Sequence, residues 1–238
     1  MTKPLIIAHR GAPSDNQSEN TLEAFARAIN LGADMIEFDI RRTRDGKLVI
    51  HHDASLRGHR IGKHTYKELR KLSDTIGFKI PLMSELLELA KGRIKLDAEL
   101  KEEGYEDEVI GMLKSRFNVR DLIITSFNID SLRRIKERHP KIKTGLLVDL
   151  RKLTGAVHAR PGGIFSAKRG HSKAFDFLGL NWKLLNFGFL KRARILNLPL
   201  LVWTVNRRVQ LEKMLKLNVE GIITDKLELA LGMRDEIH

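Results

Sequence analysis

Short apolar runs alternate with longer amphipathic stretches along most of the 238 residues. Residues 5–8 form a short, wholly apolar run, the pattern of a buried strand. Over 22–31 the apolar positions fall at 22, 25, 26, 29 and 31, close to the helical period. Asn20, with Glu23 three residues on, predicts an N-cap and its capping-box partner, which together satisfy backbone N–H groups that the first helical turn leaves free. Gly32 then ends that helix as a C-terminal glycine.

Strand-like runs follow at 35–40, 47–52, 94–100, 122–125, 144–148, 177–180, 200–205 and 221–224. Helical patterns lie between them near 83–91, 105–117, 129–138, 184–197, 207–217 and 226–233. Pro140 stops one helix and Pro199 opens a strand. Alternation of strand and helix with short connections predicts a parallel sheet with helical crossovers. About eight such units in this length fit an α/β fold of the closed (β/α)8 TIM-barrel type better than an open sheet. No break in composition divides the chain, so 1–238 is expected to be a single domain. Residues 54–80 are a small insertion after the second strand region.

Composition narrows the function. Hydrophobic residues make up 42%, enough for a packed core, which excludes a disordered tail. There is no cysteine, which excludes disulfides, a thiol nucleophile and thiolate metal sites. Apolar runs such as 198–205 are far shorter than the roughly 20 residues of a membrane span. No basic segment followed by a long apolar run opens the chain, and the expectation is a soluble, cytoplasmic protein.

Lys and Arg number 43 against 30 Asp and Glu, a net charge of +13. Such a balance suits a nucleic acid, an anionic lipid or a phosphorylated small molecule as partner, or only a well-solvated surface. The stretch 151–173 concentrates Arg151, Lys152, Arg160, Lys168, Arg169 and Lys173 without an acidic residue. It is a solvated loop or a peripheral contact for an anionic membrane.

In a parallel barrel the reactive groups stand at the C-terminal ends of strands. Here those ends read His9-Arg10-Gly11, Glu37-Phe38-Asp39, His51-His52-Asp53 and Glu99-Leu100-Lys101. Residues two apart share a strand face, so Glu37 and Asp39 project together, as do Glu99 and Lys101. Like charges on a buried face repel and lose solvation unless something neutralises them. A hard divalent cation, Mg2+ or Ca2+, suits an all-oxygen set of Glu37, Asp39 and Glu99. The plain alternative for Glu37 and Asp39 is a surface Glu-x-Asp. His9 and His52 end two different strand-like runs and suit general acid–base work near neutral pH. His51, on the opposite face, is expected to be structural, and Asp53 either orients an imidazole or caps the turn. Arg10 and Lys101 bring phosphate-binding charge to the same mouth. Together these groups describe phosphoryl transfer or phosphodiester cleavage better than sugar or acyl chemistry. A glycosidase is disfavoured by the two histidines, and nucleotide use by the absence of a Gly-rich phosphate loop.

These segments resemble the N-terminal motifs of glycerophosphodiester phosphodiesterases: His9-Arg10-Gly11, Glu19-Asn20-Thr21, Glu37-Phe38-Asp39 and His52-Asp53 in order. The likeness continues through Pro81-Leu82-Met83, Glu99-Leu100-Lys101, Thr125-Ser126-Phe127, Val202-Trp203-Thr204-Val205-Asn206 and Ile223-Thr224-Asp225. The resemblance implies a (β/α)8 barrel, a divalent cation, and hydrolysis of glycerophosphodiesters to glycerol 3-phosphate and an alcohol. It implies His9 and His52 as the acid–base pair and Glu37, Asp39 and Glu99 as metal ligands. Arg10 and Lys101 would bind phosphate, and Trp203 would lie near the substrate or serve only in barrel packing. Ser18 stands where the family usually has Pro, and Leu227 where Pro often follows Thr-Asp. The 54–80 insertion is shorter than usual, which bears on selectivity rather than chemistry.

Two rivals remain at this level. The same barrel can serve a phosphodiesterase of lysophospholipids or phosphoinositides, with 151–173 against a lipid surface. A non-catalytic basic protein binding nucleic acid or membrane is the reading from another class. Against it, the chain has only two Trp and two Tyr for base stacking, and no nucleic-acid motif.

Overall fold

The structure is a computed structural model that describes residues 3–14, 18–75, 77–149, 174–217 and 219–237. The basic stretch 151–173 lies outside the described residues. Eight parallel strands close into a barrel: β1 (Leu5–His9), β2 (Met35–Arg42), β6 (Lys95–Leu100), β7 (Leu122–Ser126), β8 (Lys143–Val148), β9 (Phe177–Asn181), β10 (Leu200–Trp203) and β11 (Gly221–Thr224). They pair in that order, and β1 closes the ring by pairing with β11 in the register Ala8↔Thr224. The helices among the described residues are α1 (Leu22–Asn30), α2 (Tyr66–Asp74), α3 (Met83–Ala90), α4 (Glu106–Lys114), α5 (Ile129–Arg138), α6 (Phe189–Ile195), α7 (Arg208–Lys216) and α8 (Leu227–Ile237). None of them is long and apolar enough to cross a membrane. The (β/α)8 barrel expected from the alternation is therefore the observed fold.

The two-residue period of a strand sorts the core. Ile6, Ala8, Ile36, Phe38, Ile40, Leu96, Ala98 and Leu100 face the helices in one large apolar cluster. Phe25 of α1 meets Phe38 of β2 edge-on there, with ring centroids 6.4 Å apart. The alternate residues point inward. Ile7, Met35, Ile123, Phe177, Leu201 and Ile223 fill the barrel interior. Above them the inward positions of β1, β2 and β6 turn ionisable. The registers His9↔Glu37↔Asp97 and Asp39↔Glu99 stack these residues at the C-terminal end.

Three elements differ from the sequence expectation. The run 47–52 is not a barrel strand. β2 continues through Arg42, and β3 (Leu48–Ile50) folds back against it antiparallel, with Ile40 opposite Ile50. Apolar alternation cannot separate a hairpin return from a parallel strand. His52 therefore follows a hairpin return and not a barrel strand, and it still lines the mouth. The insertion then forms a short hairpin, β4 (Ser55–Leu56) with β5 (His59–Arg60), and α2, packed over Val49, Leu56, Ile61, Leu69 and Ile80.

The N-cap of α1 is Thr21, whose hydroxyl accepts from the Ala24 N–H, and not Asn20. Asn20 sits at φ 57° with its side chain turned to Asp39. The helical pattern of 184–197 is split by Gly188 at φ 77° into a 3-10 turn (Trp182–Phe187) and α6. Gly11 is required at its position. It has φ +88°, and a Cβ there would lie 2.8 Å from the Ala24 carbonyl carbon.

Candidate active site

The C-terminal mouth of the barrel holds a cavity of about 430 Å3. His9, Arg10, Glu37, His52, Glu99, Lys101 and Trp203 all line it. Asp39 is fully buried behind them and does not reach the cavity wall. The structure thus gathers the sequence-derived candidates at one place. His51 lies apart, its ring stacked on Phe78 at a centroid distance of 6.5 Å.

Glu37, Asp39 and Glu99 each offer an oxygen within 4.8 Å of the others. Burial, followed by repulsion from Asp39 and Glu99, raises the Glu37 carboxyl well above its ordinary range. Glu99 is raised by burial too, against the pull of Lys101. Asp39 goes the other way. Burial opposes its ionisation, yet Lys101, Arg10 and the Asn20 hydrogen bond together bring it to about 2. The Lys101 ammonium lies 3.0 Å from Asp39 Oδ1 and 2.6 Å from Glu99 Oε1. Arg10 Nε lies 3.0 Å from Asp39 Oδ2, and its Nη1 pairs with Glu19 at 2.6 Å. Both cations thus border the carboxylates as well as the cavity.

The donor set fits a divalent cation. Glu37 Oε1 is buried without a hydrogen-bond partner, so the most crowded carboxylate has an oxygen aimed at no protein donor. All three carboxylates would offer hard oxygens, the kind that Mg2+ and Ca2+ prefer.

His9 Nδ1 lies 2.6 Å from Asp225 Oδ1, and its Nε2 lies 4.0 Å from Glu37 Oε2. His52 Nδ1 lies 2.8 Å from Asp53 Oδ1. Asp53 therefore touches the imidazole rather than only shaping the turn. An ionised carboxylate only accepts, so both rings donate from Nδ1 and present Nε2. Burial, reinforced by Lys101 and Arg10, lowers the His52 pKa below 6.5. Trp203 and Phe127 meet edge to face at 5.7 Å, and both line the cavity. Trp203 Nε1 is buried without a partner.

Four participants had no role assigned from sequence. Asp97 is fully buried beneath Glu99, accepting from Thr125 Oγ1 at 2.7 Å, and burial lifts its carboxyl to about 8. Counting back two residues from Glu99 along the strand is enough to place it inward. Asp225 follows β11 by one residue, and Asn206 holds it from the loop after β10. Arg41, on the inward face of β2 beyond Asp39, holds the His52 backbone.

A closed parallel barrel with its ionisable groups gathered at the strand C-termini has the architecture of a TIM-barrel enzyme. Residues 9–229 match the Glycerophosphoryl diester phosphodiesterase family, and the chain belongs to that family. It is 34% identical over 249 residues to a glycerophosphodiester phosphodiesterase of Caldanaerobacter subterraneus, covering 97% of this chain and 98% of the relative. A crystal structure of a glycerophosphodiester phosphodiesterase from Parabacteroides distasonis superposes with a TM-score of 0.82 at 26% identity, covering 99% of this chain and 98% of that one. A phosphodiesterase from Oleispira antarctica, solved with its product sn-glycerol 3-phosphate, shares the fold with a TM-score of 0.80 at 24% identity, covering 98% and 97%.

Proposed function

We propose that this chain, acting as one catalytic domain, hydrolyses glycerophosphodiesters to glycerol 3-phosphate and an alcohol, with a divalent cation held by Glu37, Asp39 and Glu99. One arrangement carries the reading: two imidazoles, each with Nδ1 on a carboxylate, open on a cavity that Glu37 and Glu99 line, with Asp39 buried behind them. Mg2+ or Ca2+, when bound, would supply Lewis-acid charge to the phosphate oxygens. Arg10 and Lys101 add fixed positive charge beside the same oxygens. One histidine takes a proton from the attacking hydroxyl through Nε2, and the other gives a proton to the leaving alkoxide. The glycerol 2-hydroxyl is the nucleophile in this scheme, and water then opens the cyclic phosphate. Trp203 packs an apolar face of the substrate.

A panel of glycerophosphodiesters and lysophospholipids, assayed with Mg2+, Ca2+ or EDTA, tests the reading. Release of glycerol 3-phosphate that depends on a divalent cation supports it. Activity that survives full chelation overturns the metal role. Turnover of lysophospholipids alone reassigns the substrate.

A further inference from the structure

β1 and β11 close the barrel, and His9 and Asp225 leave that seam side by side. The Asp225 carboxylate meets His9 Nδ1 through Oδ1 at 2.6 Å. Its other oxygen accepts from Asn206 Nδ2. Asn206 is held in turn, since its Oδ1 accepts from the Asp225 N–H at 2.9 Å and from Thr224 Oγ1 at 3.2 Å. Each polar atom of the Asn206 amide group thus works to fix Asp225. The counterpart at the second imidazole lacks this bracing: Asp53 is the sequence neighbour of His52, with a side chain 74% exposed against 35% for Asp225.

We propose that Asp225, braced by Asn206, is a positioning residue that holds His9 as the Nδ1–H tautomer and aims Nε2 into the reaction cavity. The role rests on the acid–base reading of His9 given above. An imidazole free to turn shares its proton between two nitrogens, and only one of them faces the substrate. A carboxylate fixed on Nδ1 removes the unproductive tautomer and ring orientation. It also stabilises the imidazolium that exists while Nε2 carries the transferred proton. An amide at 225 can donate to Nδ1 instead, which leaves the proton on Nε2 and reverses the tautomer.

The test combines kinetics with imidazole nitrogen NMR on the full chain. Asp225→Asn is expected to lower kcat by about 10²–10⁴-fold, as loss of the orienting carboxylate does in hydrolytic triads, with KM within about threefold. Asn206→Ala is expected to lower kcat by a smaller factor, about 3–10-fold. In long-range 1H–15N spectra the His9 signals should show protonated Nδ1 in the wild type and protonated Nε2 in Asp225→Asn. A merely structural role would not move that tautomer. Wild-type kcat in Asp225→Asn, or an unchanged His9 tautomer, overturns the proposal while leaving the acid–base reading intact. Full activity in His9→Ala overturns both.

Discussion

Arg41 donates two hydrogen bonds to one oxygen, the backbone carbonyl of His52, from Nε at 3.0 Å and from Nη2 at 2.7 Å. Its remaining guanidinium nitrogen pairs with Glu102, which fixes the fork from behind. His52 belongs to no barrel strand; the β2–β3 ladder and the His51 N–H on the Asp39 carbonyl bring the chain to the mouth, and this clamp adds a side-chain hold on His52 itself. Arg41→Ala is expected to reduce kcat by about tenfold or more, because small displacements of a catalytic group are costly. Arg41→Lys should recover only part, since a point charge cannot reproduce the fork. Steady-state kinetics of the two variants decide it, and equal rates in wild type and Arg41→Ala would remove the clamp.

The carboxylate triad leads to a binding prediction. Glu37→Gln and Glu99→Gln should each weaken divalent-cation affinity at least about tenfold. Calorimetric titration of Mg2+ or Ca2+ into chelator-treated protein measures this directly. Glu37→Gln should also relieve repulsion, so the cation-free variant should melt higher than cation-free wild type. A lower melting temperature would contradict the cost that burial, and then repulsion from Asp39, imposes on the Glu37 carboxylate.

The two histidines predict separate readouts. His9→Ala and His52→Ala should each lose about 10²–10⁴-fold in rate while circular dichroism stays native. Burial comes first, then Lys101 and Arg10, in lowering the His52 pKa below 6.5. The neutral ring therefore persists to lower pH than in a free imidazole. An NMR titration of cation-free protein should place the His52 midpoint below 6.5, and a midpoint above it would refute that environment.

Asp97 predicts a pH-dependent stability. Burial lifts its carboxyl to about 8, against the opposing Thr125 hydrogen bond, from an ordinary 3.8. Between those values the folded chain keeps a proton that the unfolded chain has released. Its favourable contribution is complete below about pH 4 and is lost as pH rises towards about 8. Asp97→Asn removes this titration. Denaturant unfolding with chelator present should show equal stability near pH 4 and a gain of about 1–3 kcal/mol for the variant at pH 8. Parallel pH profiles for the two proteins would refute it.

The barrel and the charged strand ends were legible because both follow from periods. Alternation of two placed Glu37 with Asp39 and Glu99 with Lys101, and the structure keeps them inward. The return of His52 was not legible, because an apolar run carries no sign of its direction. Asn20 was misplaced for a related reason. Asn caps helices often, but here the adjacent Thr21 takes the cap and frees the Asn20 amide for Asp39 at 2.8 Å. The roles of Asp225 and Asn206 are not legible in sequence, since their partner His9 lies 216 residues from Asp225 and only barrel closure joins them.

That closure also orders events during synthesis. His9 leaves the ribosome early, and the carboxylate it meets follows 216 residues later. Until β11 docks against β1, the His9 imidazole lacks its Asp225 partner. The His9–Asp225 contact thus joins the first and last strands of the ring, and it forms only once both are in place.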